Sequence, residues 1–335
     1  MLRIAINGFG RIGRTFLKVG WERKNVEFVA VNDLTEPAHL AHLLKYDSVF
    51  RTWNHEVKAG KDFLMIDGKK LPVSAETDPA KLPWAKYNVD VVIESTGRFT
   101  NMADASKHLE AGAKRVVISA PAKETPTFLM GVNHKQAKKS QKVINNASCT
   151  TNSIAPVAAI MDEVFGVKKA MMTTIHSVTA EQNLVDGLPP KLHPDLRRAR
   201  SALVNMVPTS TGAAKAISEA MPKFKNKFDG IAVRVPTLDV SLSDFTFVLK
   251  KKVTVEEVNA AFKKAAASAR WKGILGVTDE PVVSSDLIQT HYGSVVDLGM
   301  TRVVDGDLVK VLAWYDNEWG YSERLMDMVE HVGRL

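Results

Sequence analysis

Cys149 is the only cysteine among 335 residues, and it stands in the polar run "NNASCTTNSIAP". A small sulfur side chain can fill an apolar core, and a thiolate can attack a carbonyl. The stretch behind it, "TTNSIAPVAAIMDEVF", has a helical pattern, so Ser148 or Cys149 opens a helix. At a helix N-terminus the dipole and unpaired N–H groups favour a thiolate and lower its pKa. The same N–H groups could hold an oxyanion once sulfur has added to carbon. A cysteine nucleophile needs a base. Among nine histidines, His176 has the best setting, at the end of the strand-like run "AMMTTIH" and just before a long loop. The residues alone leave core filler and nucleophile close to even. No cluster has metal-ligand spacing, so no metal is expected.

A second constellation opens the chain. "RIAINGFGRIG" reads as strand, then Gly8-x-Gly10-x-x-Gly13, then helix. Gly8 makes the tight turn, Gly10 admits a pyrophosphate to the backbone, and Gly13 lets helix and strand pack closely. Asp33 follows twenty residues after Gly13, at the end of "VEFVAVND", where a carboxylate accepts ribose hydroxyls. Its charge would repel a 2′-phosphate, which favours NAD over NADP. A third signal is "PTSTGAAKA": Thr209, Ser210, Thr211 and Gly212 at a helix start could cradle a phosphate, or serve as an ordinary cap. "RVPT" adds Arg234 at a strand end, a forked donor suited to phosphate.

The elements that must position these residues fall into two groups. Residues 2–6, 26–31, 89–93, 115–118 and 142–144 read as apolar strands, with helical patterns over 11–23 and 102–111. Strands alternating with helices imply βαβ units and a doubly wound parallel sheet. After Cys149 come long strand-like runs at 169–177, 230–235, 241–250 and 308–315, with helices near 211–220 and 254–268. That pattern implies an α+β domain with a mostly antiparallel sheet. Residues 180–202, with Gly187, Pro189, Pro190 and Pro194, read as a long loop, and loops of that length are usually functional or disordered. The final helix is expected over 320–331.

Composition narrows the partners. The net charge is +8 and the chain is 45% hydrophobic, which fits a globular enzyme of about two domains with anionic ligands. Basic residues are scattered, so a solvated basic surface is expected rather than a nucleic-acid site. No apolar stretch is long enough to span a membrane. One cysteine permits no internal disulfide, which fits a reducing, cytoplasmic setting.

The motifs "INGFGRIGR", "ESTGRF", "ISAPAK", "NASCTTNSIAP", "VPTSTGAAKA", "RVPT" and "WYDNEWGYS" run nearly end to end. In them the chain resembles the phosphorylating glyceraldehyde-3-phosphate dehydrogenases, NAD-dependent enzymes of bacterial and eukaryotic type. The resemblance implies an NAD-binding Rossmann domain over 1–148, a catalytic domain over 149–317, and a last helix, 318–335, that packs back on the first domain. It implies that Cys149 attacks the aldehyde to form a hemithioacetal, with His176 as proton acceptor. Hydride then passes to the nicotinamide, and phosphate cleaves the resulting thioester to 1,3-bisphosphoglycerate, a step of glycolysis and gluconeogenesis. Ser148, Thr150, Thr211 and Gly212 match the family's site for attacking phosphate. Thr179 and Arg234 match the site for the substrate phosphate, with an arginine from 197–200 beside them. Cofactor contacts match Gly8, Gly10, Arg11, Ile12, Gly13, Asp33, Thr77, Ser119 and Asn317, the last holding the carboxamide. The family is homotetrameric, and residues 180–202 match a loop between subunits. Erythrose-4-phosphate dehydrogenase is the nearest alternative; "PTSTG" favours the triose phosphate. The chain departs from many relatives in carrying Thr77 before Asp78-Pro79, and Ser153 where they carry a second cysteine.

Overall fold

A computed structural model describes residues 1–189 and 195–335. Pro190 and Pro194 of the expected loop lie outside the described residues. The chain divides into two compact units. One comprises Met1–Phe128, His134–Ala147 and Leu325–Leu335; the other comprises Leu129–Asn133 and Ser148–Arg324.

The first unit is built on a sheet whose parallel core contains β1 (Leu2–Asn7), β2 (Val26–Asn32), β3 (Lys69–Ser74), β4 (Val91–Glu94), β5 (Arg115–Ile118) and β6 (Val143–Asn145). Their order is β6-β5-β4-β1-β2-β3, with two antiparallel strands, Phe63–Ile66 and Val57–Ala59, beyond β3. Helices α1 (Arg11–Gly20) and α2 (Met102–Glu110) belong to the crossovers. Every residue of β4, β5 and β6 is buried, as expected for parallel strands covered on both faces. β2 and β4 flank β1 on opposite sides, so the winding reverses at β1. The carboxyl ends of strands at such a reversal form a ligand crevice.

The second unit holds a seven-stranded sheet: β7 (Val167–His176), β8 (Val207–Ser210), β9 (Phe228–Arg234), β10 (Ser241–Leu249), β11 (Leu275–Thr278), β12 (Ser294–Val304) and β13 (Leu308–Tyr315). The order is β8-β9-β7-β10-β13-β12-β11. Most neighbouring pairs are antiparallel, while β7–β9 and β11–β12 are parallel. The parallel β7–β9 pair sets His176 opposite Arg234. β10 alternates strictly between buried and half-buried residues, the period of a sheet with one covered face. Helix α3 (Cys149–Phe165) packs on this sheet and is buried continuously from Thr150 to Met161. Helix α4 (Ala213–Ala220) belongs to this unit, whereas α5 (Trp319–Gly333) begins in it and counts with the first unit from Leu325 onward.

Candidate active site

Cys149 is the first residue of α3, and Ser148 is its cap: the Ser148 Oγ accepts from Thr151 N at 3.1 Å. The sulfur therefore sits beside the unpaired N–H groups of the first turn. Its Sγ lies 3.5 Å from His176 Nε2. The neighbouring Thr150 turns its Oγ1 to Tyr315 OH at 2.9 Å, and Thr174 on β7 meets the same hydroxyl at 2.7 Å. Tyr315 thus ties the start of α3 to the strand that carries His176.

His176 is 4% exposed. Its Nδ1 lies 2.7 Å from Ser177 O and also 2.7 Å from Arg234 Nη1. Burial and the Arg234 charge push the imidazole down to about 3, so the ring is neutral at physiological pH. Burial also pushes the Cys149 thiol up, against the pull of Arg234 and hydrogen bonds involving Thr150. This corrects the expectation of a lowered thiol pKa: loss of water around the anion outweighs the favourable charges in the resting pair.

The anion-binding candidates gather unevenly. Arg234 is next to His176, and its guanidinium is held below its ordinary value by burial. Thr179 follows three residues after His176, and its buried Oγ1 has no hydrogen-bond partner among the described residues. A buried hydroxyl in that condition costs free energy unless a ligand completes it. Thr211 Oγ1 accepts from Ala213 N at 3.3 Å at the start of α4. Gly212, the cap of α4, contributes no side-chain cap, and a Cβ there would meet nothing within 4 Å. Val207, rather than Thr211, is the residue of β8 opposite Arg234.

Asn317 is 5% exposed, and its Oδ1 accepts from Ser177 Oγ at 2.8 Å and Ser241 Oγ at 2.7 Å. With Oδ1 turned to the two serines, Nδ2 is the donor end of the amide. Asp316 anchors the same turn by accepting from Trp319 N at 2.6 Å and Gln289 N at 2.7 Å. Burial pushes Asp316 up to about 6. Burial and the charges of Asp316 and Glu318 push Asp239 up to about 9.

In the first unit, Gly8 has φ +91°, and a Cβ on it would come within 2.6 Å of Thr96 N. A Cβ on Gly13 would come within 2.2 Å of Gly8 O. Gly10 caps α1 without a side chain, and a Cβ there would meet nothing within 4 Å. The turn is packed tight from behind and open in front, which fits a dinucleotide pyrophosphate at the helix start. Asp33 accepts from Phe9 N at 2.7 Å and Thr35 N at 3.0 Å, which fixes a carboxylate at the end of β2.

Residues 148–317 match the family model "Glyceraldehyde 3-phosphate dehydrogenase, C-terminal domain", and residues 2–102 match "Glyceraldehyde 3-phosphate dehydrogenase, NAD binding domain". The chain is 54% identical to glyceraldehyde-3-phosphate dehydrogenase 1 of Bacillus cereus over 99% of its own length and 98% of that protein. It is 51% identical to glyceraldehyde-3-phosphate dehydrogenase of Geobacillus stearothermophilus, over the same shares. The chain belongs to the glyceraldehyde 3-phosphate dehydrogenase family.

Within this family member, the remaining expected cofactor residues are placed as follows. Arg11, in the first turn of α1, pairs with Asp47 at 2.8 Å, and Ile12 follows it, half-buried. Ser119 follows β5 and donates to Glu94 O at 3.1 Å. Thr77 is exposed, with Oγ1 3.5 Å from Glu76 Oε1. Sequence reasoning left the loop arginine undecided. Arg197 pairs with Asp195 and Arg200 with Asp186. Arg198 reaches Thr209 Oγ1 at 2.9 Å and Ser210 O at 3.2 Å on β8, and its charge acts on Arg234. No local pattern distinguishes Arg198 from its neighbours; its contact with β8 and its effect on Arg234 do.

Proposed function

We propose that this chain oxidises D-glyceraldehyde 3-phosphate with NAD and takes up inorganic phosphate to give 1,3-bisphosphoglycerate, as a cytoplasmic homotetramer in glycolysis or gluconeogenesis. The observation that carries the reading is Cys149 Sγ at the start of α3, 3.5 Å from Nε2 of a neutral, buried His176 backed by Arg234. Gly8, Gly10, Gly13, Arg11, Ile12, Asp33, Thr77 and Ser119 would hold NAD in the first unit, with Asn317 for its carboxamide. When bound, NAD supplies two-electron oxidation by accepting hydride.

The residues then divide the work. His176 Nε2 takes the thiol proton as Sγ bonds to the aldehyde carbon and passes it to the former carbonyl oxygen, which becomes the hydroxyl of a hemithioacetal. The N–H groups of the first turn of α3 lower the charge cost at that oxygen. As the carbon is oxidised, His176 receives the hydroxyl proton and the carbon is left as a thioester. Phosphate attacks that carbonyl, the C–S bond breaks, and the sulfur regains a proton. Thr179, Arg234 and Arg198 are assigned to the substrate phosphate. Ser148, Thr150, Thr211 and Gly212 are assigned to the attacking phosphate; Ser148 and Thr150 also hold the helix start in place.

NADH formation is to be measured with glyceraldehyde 3-phosphate and with erythrose 4-phosphate, each with and without inorganic phosphate. The reading requires phosphate-dependent turnover that prefers the triose. Turnover indifferent to phosphate would sink it. Light scattering tests the tetramer.

A further inference from the structure

β1, β2 and β4 end in Asn7, Asn32 and Glu94, three polar side chains that are each at least 96% buried. They are joined in a row across the sheet. Asn32 Nδ2 donates to Asn7 Oδ1 at 2.7 Å, and Asn7 Nδ2 donates to Glu94 Oε2 at 2.6 Å. The residues that follow them are Gly8, Asp33 and Ser95. Gly8 is the turn of the dinucleotide fingerprint, Asp33 is its acid, and Ser95 Oγ donates to Gly8 O at 2.7 Å.

The row ends on a buried histidine that sequence reading passed over. His108 of α2 is fully buried, and its Nδ1 accepts from Trp84 Nε1 at 2.9 Å. Indole N–H can only donate, so His108 Nδ1 carries no proton and the ring proton must sit on Nε2. That proton points to Glu94 Oε2 at 3.0 Å. Thr96 supplies two more donors to Glu94 Oε1, its N at 2.9 Å and its Oγ1 at 2.5 Å. Glu94 therefore accepts four hydrogen bonds, which a carboxylate can do and an amide cannot.

We infer that the Glu94–His108 pair is a positioning device for the dinucleotide site: it fixes Asn7 and Thr96, and through them the Gly8 turn and the Asp33 carboxylate. The inference rests on the NAD reading above. Glu94→Gln places an NH2 group against the donors of Asn7 and His108 or against those of Thr96, and either mismatch passes to the Gly8 turn. An apolar defect in the same strand has no such path.

The test uses the full chain, with NAD affinity read by calorimetry. Glu94→Gln is expected to weaken NAD binding about tenfold or more, the scale of one buried mispaired polar group. Ile93→Ala, a fully buried neighbour on β4, lowers thermal stability while its affinity stays within about twofold. Equal weakening in both variants, or none in Glu94→Gln, overturns the inference. If Glu94→Gln does not fold, His108→Asn serves. Its Oδ1 can still accept from Trp84 while the donor to Glu94 is gone, and unchanged NAD affinity there is equally fatal. Nitrogen-15 NMR of His108 must show the proton on Nε2; a proton on Nδ1 overturns the pairing directly. A wild-type chain that fails to bind NAD removes the cofactor reading itself, whereas tight wild-type binding with indifferent variants removes only this inference.

Discussion

Arg234 Nη1 lies 2.7 Å from His176 Nδ1, the same distance as Ser177 O from that nitrogen. The two neighbours want opposite tautomers. Ser177 O needs a proton on Nδ1, which leaves Nε2 bare to receive the thiol proton. Arg234 needs a bare Nδ1, which puts the proton on Nε2, pointing at Sγ. Ser177 O partners Nδ1–H both before and after Nε2 takes a proton, whereas Arg234 partners only the neutral ring whose proton sits on Nε2.

Arg234→Leu removes the positive charge that pulls the Cys149 thiol down. The thiol pKa should rise further, and alkylation by iodoacetamide at pH 7 should slow by roughly tenfold per unit of rise. The His176 pKa should move up from about 3 toward its ordinary value. An unchanged alkylation profile across pH would show that the guanidinium does not act on the sulfur.

His176→Asn separates catalysis from thiol reactivity. A neutral base contributes through proton transfer, so turnover should fall by about 10²–10⁴. Alkylation, which needs no acid–base partner, should fall far less. Equal losses in the two measurements would contradict a role in proton transfer.

Thr179→Val should raise KM for the triose phosphate by about tenfold to a hundredfold, the loss of one hydrogen bond to a charged group. Because Thr179 Oγ1 is buried with no partner among the described residues, the protein's melting temperature should hold or rise. A variant that loses stability with KM intact would assign the hydroxyl to the fold instead.

Asp239 makes stability depend on pH. Its folded pKa is raised to about 9, so folding favours the protonated form. That stability is fully present below the unfolded carboxyl pKa and is lost as pH rises through the folded value. Asp316, its buried partner, is raised as well, chiefly by burial. Asp239→Asn escapes the loss. It should match wild type near pH 4 and exceed it increasingly up to pH 9, by a few kcal/mol in order of magnitude. Parallel melting curves across pH would refute the assignment.

What could be read from residue order was what is local. The Gly8–Gly13 turn, Asp33 at a strand end and Cys149 at a helix start are each fixed within a short segment. β12 escaped notice because its pairing with β13 shifts register between Asp297 and Arg302, which breaks the alternation that marks a strand. Arg198, Tyr315 and the serines on Asn317 act across long sequence separations, so no spacing announces them. Glu94 left a trace: a carboxylate closing the fully buried run "VVIE" needs donors. The upward push on the Cys149 thiol is not legible in residue order, because charge near a helix start is visible there while loss of water is not.

The parallel register that faces His176 with Arg234 also says where the chain can grow. Side chains in a strand alternate faces, so one residue inserted within Phe228–Arg234 would turn the guanidinium to the opposite side of the sheet. Additions in the connections leave that facing untouched. Length variation among natural or engineered versions should therefore spare Val167–His176 and Phe228–Arg234 and collect in connections away from Thr179 and Arg198.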